Sequence, residues 1–577
     1  MRPVPSRQSG STSFWTETPV AGGIAHALDR AEFAGGVQLR RARPGCCIVQ
    51  PDGYNNETRE KGLPVNGAHA LIHTLVDSGV DVCFANPGTS EMHFVAAVDD
   101  IPDLRIVLGL FEGVVTGAAD GYARITDRPA ATLVHLGPGF ANGMANLHNA
   151  RRARVPMVNI VGDHATYHKH FDAPLNSDID AAARTVSGWV ERPTRPADIG
   201  AAAAAAVAAT VGPPPVVTTL ILPADVSWGE GAIRARPIAT RTANQVDDDI
   251  VASIAKLLAS GESCLLLLGN RAARAGALVA AGRVAAATGA QLLLETAIAR
   301  LERGGGLPSP DRLSYRSGSA LTQLKGVRHL ILVDAKAPAA FFAYPDQPSD
   351  LVPPGCQVHV FTGAADDTEA ALLALADRVA SGVEPPVSPY ARPELPAGTL
   401  SVQAVADGIA ALLPEDAIVV DEGVTSGGFV RAATTHGPRH DWLGTTGGAI
   451  GMGLPLSVGA AVGAPGRKVV GVQADGSAMY TPQALWTMAR ENVDVTTVIF
   501  SNRQYAILKG ELKRVGATGG PKAFDMLDLT RPDLDFVALA SGMGVPATRA
   551  TTAEQFVELF SRALAHEGPD LIEAVLA

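Results

Sequence analysis

Cysteine is scarce in this sequence, and its few copies form no useful pattern. The chain of 577 residues has five cysteines, none of them in a spaced pair that resembles a zinc site: Cys46, Cys47, Cys83, Cys264 and Cys356. An odd number of scattered cysteines in a long chain excludes a scaffold built on disulfide bonds. It favours reduced thiols, and hence a cytoplasmic protein.

Positive charge and long apolar runs are also lacking. Lys and Arg number 47 against 58 Asp and Glu, so the formal net charge is −11 and the chain has no basic footprint for nucleic acid. No apolar run reaches the roughly 20 residues that cross a bilayer, so we expect no membrane span. Residues 1–62 contain no signal-peptide core, and their Pro, Gly, Ser and Arg content predicts a disordered extension. A transit peptide is the alternative, against which the acidic Glu17, Asp29 and Glu32 count.

From Val65 onward, short apolar strands alternate with helices. This alternation predicts an α/β fold with three doubly wound parallel-sheet domains. We place them at residues 63–233, 245–384 and 397–577, and the middle one is Rossmann-like. A polar joint at residues 234–248 and a Pro-rich linker at residues 384–396 separate them.

Polar residues follow two predicted strands of the third domain. Asp475 comes directly after an apolar run and precedes Gly476, and Asn502 comes after another strand, 27 residues later. Asp475, Asn502 and a backbone carbonyl at Gln504 are three oxygen ligands of the kind that magnesium prefers, and diphosphate oxygens would complete the shell. Gly476 lets backbone amides approach the phosphate, and we expect Ser477 and Tyr505 to border it. An isolated Asp-Gly is more often an ordinary turn, but the spaced pair favours the metal site.

A second acid, Glu112, lies where a short strand gives way to a helix. The glycines Gly113, Gly117 and Gly121 recur every four residues on that helix, so another helix could approach the face that they share. A carboxyl group beside such a surface should be poorly solvated. Taken alone, Glu112 could equally be a common acidic residue at a helix N-terminus.

Together these segments resemble the thiamine-diphosphate enzymes, in particular the acetolactate synthases and benzoylformate decarboxylases. That family carries Gly-Asp-Gly followed 24–27 residues later by Asn-Asn; here Ala474 replaces the first Gly and Ser501 replaces the first Asn. The resemblance spans residues 65–577. It implies a pyrimidine-binding first domain and a third domain that binds thiamine diphosphate and Mg²⁺. It also implies that Glu112 binds the cofactor's aminopyrimidine and promotes proton loss from its reactive carbon, meeting Asp475 across a dimer interface.

The resemblance assigns further cofactor contacts in the third domain. The glycine-rich segment 446–455 would approach the cofactor ring, with Ile450 as the apolar wedge that bends it and the Gly448 carbonyl facing its amino group. Val424 and Thr425 would hold diphosphate oxygens. Without the resemblance, helix packing by a glycine-rich segment explains residues 446–455 equally well.

Two loops of the first domain are the candidates for contact with substrate. Against benzoylformate decarboxylase, Thr89 matches a serine that holds the substrate carboxylate, and His135 matches a histidine that moves a proton at the reacting carbon. A single histidine at a strand end is often structural. His164, His168 and His170 form a tempting metal cluster, but nothing fixes them on a regular element, so a surface loop is favoured. The aromatic segment 337–345 lines either the pocket mouth or a core.

The function that the resemblance implies is non-oxidative decarboxylation of a 2-oxo acid, with release of an aldehyde or carboligation to an acyloin. The alternatives are a genuine acetolactate synthase acting on pyruvate, and a catalytically inactive protein that binds the cofactor. The synthases carry an Arg-Phe-Asp-Asp-Arg segment for FAD, which residues 333–338 lack, so FAD is not expected. A homodimer or homotetramer with active sites between subunits is implied.

Overall fold

The computed structural model describes residues 65–577, and the predicted disordered extension lies outside the described residues. Three parallel sheets follow one another along the chain, as the sequence predicts. Within the described part of the chain, no helix is long and apolar enough to cross a membrane. Cys83, Cys264 and Cys356 are free thiols.

The first sheet has six parallel strands in the order β2-β1-β3-β4-β6-β5. Its strands are β1 Val82–Asn86, β2 Arg105–Leu108, β3 Ala130–Val134, β4 Met157–Asp163, β5 Trp189–Glu191 and β6 Val217–Pro223. Its helices are α1 Gly67–Asp77, α2 Met92–Ala97, α3 Glu112–Thr126, α4 Leu136–Ala153, α5 Ile179–Ala183, α6 Ile199–Val211 and α7 Ala224–Trp228. Strands β3, β4 and β6 are buried along their whole length, as expected for a parallel sheet that is covered on both faces.

The central sheet has five parallel strands in the order β10-β8-β7-β11-β12. The strands of this region are β7 Cys264–Leu268, β8 Gln291–Leu294, β9 Leu301–Arg303, β10 Asp311–Arg312, β11 His329–Val333 and β12 Gln357–Thr362. Its helices are α8 Asp248–Leu258, α9 Ala275–Thr288, α10 Ser317–Gln323 and α11 Thr368–Val379. Strand β9 does not join this sheet. It pairs antiparallel with a strand of the third sheet and ties the two regions together.

The third sheet has seven strands in the order β17-β18-β16-β15-β13-β14-β9, all parallel except β9. Its own strands are β13 Ala417–Glu422, β14 His440–Gly444, β15 Val469–Ala474, β16 Val495–Ser501, β17 Ala547–Ala550 and β18 Asp570–Val575. Its helices are α12 Val402–Leu412, α13 Gly427–Ala433, α14 Gly453–Gly463, α15 Asp475–Ala478, α16 Ala484–Glu491, α17 Ala506–Arg514, α18 Pro521–Asp525, α19 Phe536–Gly542 and α20 Ala553–Ala565.

Helices α3 and α14 pack at very short range and join the first and third domains. A Cβ atom on Gly121 would lie 2.2 Å from the Leu456 carbonyl oxygen, and one on Gly117 would lie 2.7 Å from Cβ of Pro455. The predicted close approach of a second helix is therefore confirmed at these two glycines. It is wrong for Gly113, which faces the Phe111 ring instead.

Candidate active site

The predicted metal ligands lie at the carboxyl ends of neighbouring strands. Asp475 follows β15 and Asn502 follows β16, and these strands pair with Ala474 opposite Phe500. Asp475 is 2% exposed. Burial raises its pKa, and backbone N–H groups of Arg503, Gly476 and Asn502 oppose that shift. A buried carboxylate that forms no ion pair among the described residues, beside an amide oxygen, suits a cation, so the residues present fit a magnesium ion that takes its remaining ligands from a diphosphate.

The loop beyond β16 keeps its predicted groups close to Asp475. The Asn502 Oδ1 atom accepts from the Gln504 backbone N–H at 3.0 Å. The Gln504 carbonyl accepts from the Ala506 N–H at 2.9 Å, so one of its two lone pairs remains for a metal. The described residues contain no group of three or more His, Cys, Asp or Glu side chains that could hold a metal. A magnesium ion here would thus depend on the diphosphate for part of its shell.

The Tyr505 ring packs so closely against residue 476 that this position must be glycine. A Cβ atom at this position would lie 2.4 Å from Cε1 of Tyr505, so only glycine lets the ring rest against the loop. The Ser477 hydroxyl donates to the backbone oxygens of Ala474 at 3.1 Å and Glu422 at 3.2 Å. These contacts place Gly476, Ser477 and Tyr505 next to Asp475.

Val424 and Thr425 lie beyond β13, on the same edge of the sheet, and both are exposed. Val424 has a φ of 50°, a left-handed conformation that a β-branched residue rarely adopts. Strain of this kind costs about 1–3 kcal/mol and concentrates at ligand-binding loops. The strain therefore supports a binding role for the loop.

The segment 447–453 is held by the carboxylate of Glu422, a residue that belongs to none of the sequence motifs. Glu422 accepts from the backbone N–H groups of Gly451 at 2.8 Å, Met452 at 3.1 Å and Gly453 at 2.9 Å. Burial raises the pKa of Glu422 to about 7, and the three N–H groups oppose that shift. Ile450 precedes these amides and is half-buried. Glu422 thus fixes the backbone that carries the predicted apolar wedge.

Glu112 is the first residue of α3 and is 6% exposed. Its Oε2 atom accepts from the Asn142 amide at 3.0 Å. The Asn146 amide donates both to the Gly113 carbonyl at 2.8 Å and to the Gly451 carbonyl at 3.3 Å. Within one chain, the start of α3 therefore lies beside the segment that Glu422 holds.

His135 lies at the end of β3 and caps α4, and its ring is paired with a buried acid. The Nδ1 atom is 2.8 Å from Oε2 of Glu91, which also accepts from the Gly88 N–H at 2.7 Å. Glu91 is fully buried, and its Oε1 atom has no partner. Thr89 is exposed in the short helical turn 89–91 of the same loop. The structure thus brings Thr89 and His135 onto neighbouring loops.

Two other sequence features have clear positions. The Phe341 ring from the aromatic segment lies against Gly448, where a Cβ atom would be 2.8 Å from its Cζ atom, and the ring is 47% exposed. This supports the pocket-mouth interpretation. His164, His168 and His170 lie in the loop and short turn after β4, as predicted, and belong to no metal-binding group among residues 65–577.

Parallel sheets with a buried acid at one strand end and a strained, glycine-rich binding edge define an α/β enzyme built for a phosphorylated cofactor. The chain matches family models for the N-terminal TPP binding domain of thiamine pyrophosphate enzymes over residues 65–183 and for the C-terminal TPP binding domain over residues 423–574. It is 58% identical to a putative acetolactate synthase large subunit, IlvX, of Mycobacterium tuberculosis over 517 residues, covering 89% of this chain and 99% of that protein. The chain therefore belongs to the thiamine-diphosphate (thiamine-pyrophosphate) enzymes.

Decarboxylases are also among its relatives. Benzoylformate decarboxylase of Pseudomonas aeruginosa is 30% identical, with 86% of this chain and 96% of that protein covered. The structure of a thiamine diphosphate-dependent 4-hydroxybenzoylformate decarboxylase from Rhodococcus jostii superposes with a TM-score of 0.78 at 25% identity, covering 89% of this chain and 99% of that one. The protein is a thiamine-diphosphate-dependent enzyme similar to acetolactate synthase and benzoylformate decarboxylase.

Proposed function

We propose that the protein decarboxylates a 2-oxo acid without oxidation, and that it releases an aldehyde or joins the acyl unit to a second carbonyl. When bound, thiamine diphosphate would supply the electron sink for carbon dioxide loss. The observation that carries the proposal is the His135–Glu91 pair. It offers an oriented imidazole on the loop next to Thr89, as delivery of a proton to a reacting carbon requires.

Each site residue takes one task in this proposal. Glu112 hydrogen-bonds the aminopyrimidine and moves a proton there, and Thr89 binds the substrate carboxylate. Asp475, Asn502 and the Gln504 carbonyl hold Mg²⁺, while Val424, Thr425, Gly476, Ser477 and Tyr505 hold the diphosphate. Gly448 and Ile450 set the cofactor's bent shape.

We further propose a homodimer or homotetramer with active sites between subunits. Several apolar side chains on the site's own elements are exposed in the single chain: Leu110 at 48%, Val424 at 44%, Phe429 at 45% and Tyr480 at 53%. Apolar exposure of this extent around a site is typical of a surface that another subunit covers.

We do not assign FAD to the central domain. The reason is that residues 333–338 lack the Arg-Phe-Asp-Asp-Arg segment that the acetolactate synthases carry for FAD.

The second candidate is a genuine acetolactate synthase acting on pyruvate, as the name of the Mycobacterium tuberculosis relative suggests. One experiment separates the candidates. Purified protein with thiamine diphosphate and Mg²⁺ is given a panel of 2-oxo acids, and carbon dioxide, aldehyde and acetolactate are measured together. Aldehyde from a non-pyruvate substrate supports the proposal, and acetolactate as main product supports the synthase. Absence of carbon dioxide from every substrate would contradict both and favour a catalytically inactive protein.

A further inference from the structure

A cavity of about 620 Å³ lies outside the cofactor site, where the central region meets the third domain. Leu292 and Leu294 of β8 and Leu301 of β9 form apolar walls, and Arg303 and Arg431 lie among its polar lining residues. This volume is within the range of small-molecule sites, which are mostly apolar, hold a few convergent polar groups and often occur between domains.

The Arg303 guanidinium is buried beside this cavity without an acid to neutralise it. The Cζ atom of Arg303 lies 5.2 Å from the centre of the Trp442 ring. Its N–H groups donate to the Arg431 carbonyl at 2.7 Å and to hydroxyls of Thr434 and Thr435 at 3.3 and 2.9 Å. All of these partners are neutral, so the buried guanidinium has no hydrogen-bonded counter-ion among the described residues.

Two further guanidinium groups add to the same positive region. Arg431 has a buried Nε atom without any partner. Among the described residues, none of Arg303, Arg312 and Arg431 forms an ion pair. Burial, and next the charges of Arg431 and Arg312, lower the pKa of Arg303 to about 9. Burial and Arg303 likewise lower the pKa of His440 to about 3, so this histidine stays neutral.

Two acids lie near, and neither neutralises the group. Asp421 interacts electrostatically with Arg303, Arg312 and Arg431, but its Oδ1 atom accepts from the Gly423 N–H and it makes no ion pair among the described residues. Asp311 borders the cavity with an exposed side chain. Three guanidinium groups thus lie near two carboxylates, and among the described residues neither carboxylate forms an ion pair with any of them.

We propose that this cavity binds an organic anion, with a single carboxylate or phosphate head between Arg303 and Arg431 and an apolar body along Leu292 and Leu301. Guanidinium groups suit either head because their N–H fork pairs with two oxygens at once. None of the predicted cofactor, metal or substrate residues lines the cavity. Arg431 lies on α13, the helix that follows the Val424–Thr425 loop. A bound anion would therefore contact the helix next to the loop that is proposed to hold the diphosphate.

The test uses the holoenzyme saturated with thiamine diphosphate and Mg²⁺, so that the cofactor site does not respond to added anions. Thermal unfolding is followed during titration with phenyl phosphate, hexanoate and inorganic phosphate at constant ionic strength. We expect saturable stabilisation by phenyl phosphate or hexanoate below about 10 mM, and weaker stabilisation by inorganic phosphate, which has no apolar body. The first two probes distinguish a phosphate head from a carboxylate head.

Two variants assign the response to the cavity. Arg431→Met should weaken probe binding at least about tenfold while the unliganded midpoint stays equal or rises, because a buried donor without a partner is removed. The control Arg392→Met removes an exposed arginine outside the lining and should leave binding unchanged.

Leu292→Trp puts a larger ring where the apolar body would lie, leaves all three arginines in place, and should weaken binding of phenyl phosphate and hexanoate even if Arg431→Met folds poorly. No saturable response to any probe, or an undiminished response in Leu292→Trp, overturns the proposal. Neither result bears on decarboxylation, which is measured separately.

Discussion

The Nδ1 atom of His135 lies 2.8 Å from the buried Oε2 atom of Glu91. The acid is held in turn by the Gly88 N–H, and its other oxygen faces Gly162, where a Cβ atom would lie 1.5 Å from Oε1. No larger residue fits at Gly162 without moving Glu91. This arrangement fixes the ring, selects the tautomer with the proton on Nδ1 while Glu91 is ionised, and leaves Nε2 for a substrate.

Glu91→Gln should therefore lower kcat for aldehyde release about 10- to 100-fold with little change in KM, because the neutral amide no longer stabilises a protonated His135 ring. Steady-state kinetics with the best 2-oxo acid would measure this, and the pH profile of kcat should change as well. Ser90→Ala is the control, since it alters the neighbouring residue and spares the acid. Unchanged kcat and pH profile in Glu91→Gln would show that the pair is structural.

Glu112→Gln tests the proposed proton transfer at the aminopyrimidine. The substitution keeps the size of the side chain and its contact with Asn142, so cofactor affinity should stay within about threefold. Turnover should fall at least about 100-fold, because the amide cannot exchange the proton. Calorimetry measures the affinity for thiamine diphosphate, and hydrogen–deuterium exchange at the reactive thiamine carbon measures how fast that carbon loses its proton. Full exchange activity in the variant contradicts the assignment.

Asp475 makes metal binding sensitive to acid. Because burial raises the pKa of this carboxyl, protons compete with Mg²⁺ at a higher pH than at an exposed aspartate. Magnesium affinity should therefore fall between a neutral and a mildly acidic pH, at a higher pH than at a site built on an exposed aspartate. Magnesium titrations of cofactor binding at both values measure this. Asp475→Asn should bind magnesium weakly at both, and equal affinities in the wild type would contradict the prediction.

The pKa of Glu422 predicts how stability depends on pH. Its value is about 7 in the folded protein against 4.5 for an exposed glutamate. Since the unfolded chain loses this proton first, stability is greatest below about pH 4.5 for this group and falls by about 3 kcal/mol as pH rises to 7. Glu422→Gln should lack this component, although it weakens the hold on segment 447–453. The unfolding midpoints of the wild type and of Glu422→Gln, measured from pH 4.5 to pH 7, give the pH dependence that Glu422 contributes. The same pH dependence in both proteins would contradict the prediction.

Much of the fold could be predicted because parallel strands are continuous apolar runs. The predicted succession of three parallel-sheet domains is confirmed, and the glycine spacing on α3 indicated the close approach of a second helix, which is α14. Strand β9 could not be predicted, because three residues carry no periodic signal and their partner lies over 130 residues away. The positions of Asp475 and His135 at strand ends could also be predicted, because each follows a continuous apolar run.

The supporting acids were harder to find. Glu91 lies 44 residues from His135, and Glu422 lies about 30 residues from the amides that it accepts from. Neither spacing forms a motif, because pairing across neighbouring parallel strands depends on the crossover between them. The one available signal was position: each acid lies at or just beyond a strand's carboxyl end, where polar groups face the ligand edge.

The close packing of α3 on α14 gives a stability prediction with a matched control. Gly121→Ala would place a methyl group 2.2 Å from the Leu456 carbonyl, so the two helices must separate, and we expect a loss of about 1–3 kcal/mol. Gly318→Ala makes the same chemical change in α10, where no atom lies within 4 Å, and should stabilise by about 0.5 kcal/mol through its effect on the unfolded chain. Urea unfolding of both variants measures the two effects. Because the contact joins the first and third domains, Gly121→Ala should also weaken cofactor binding, and opposite signs for the two alanines are the required result.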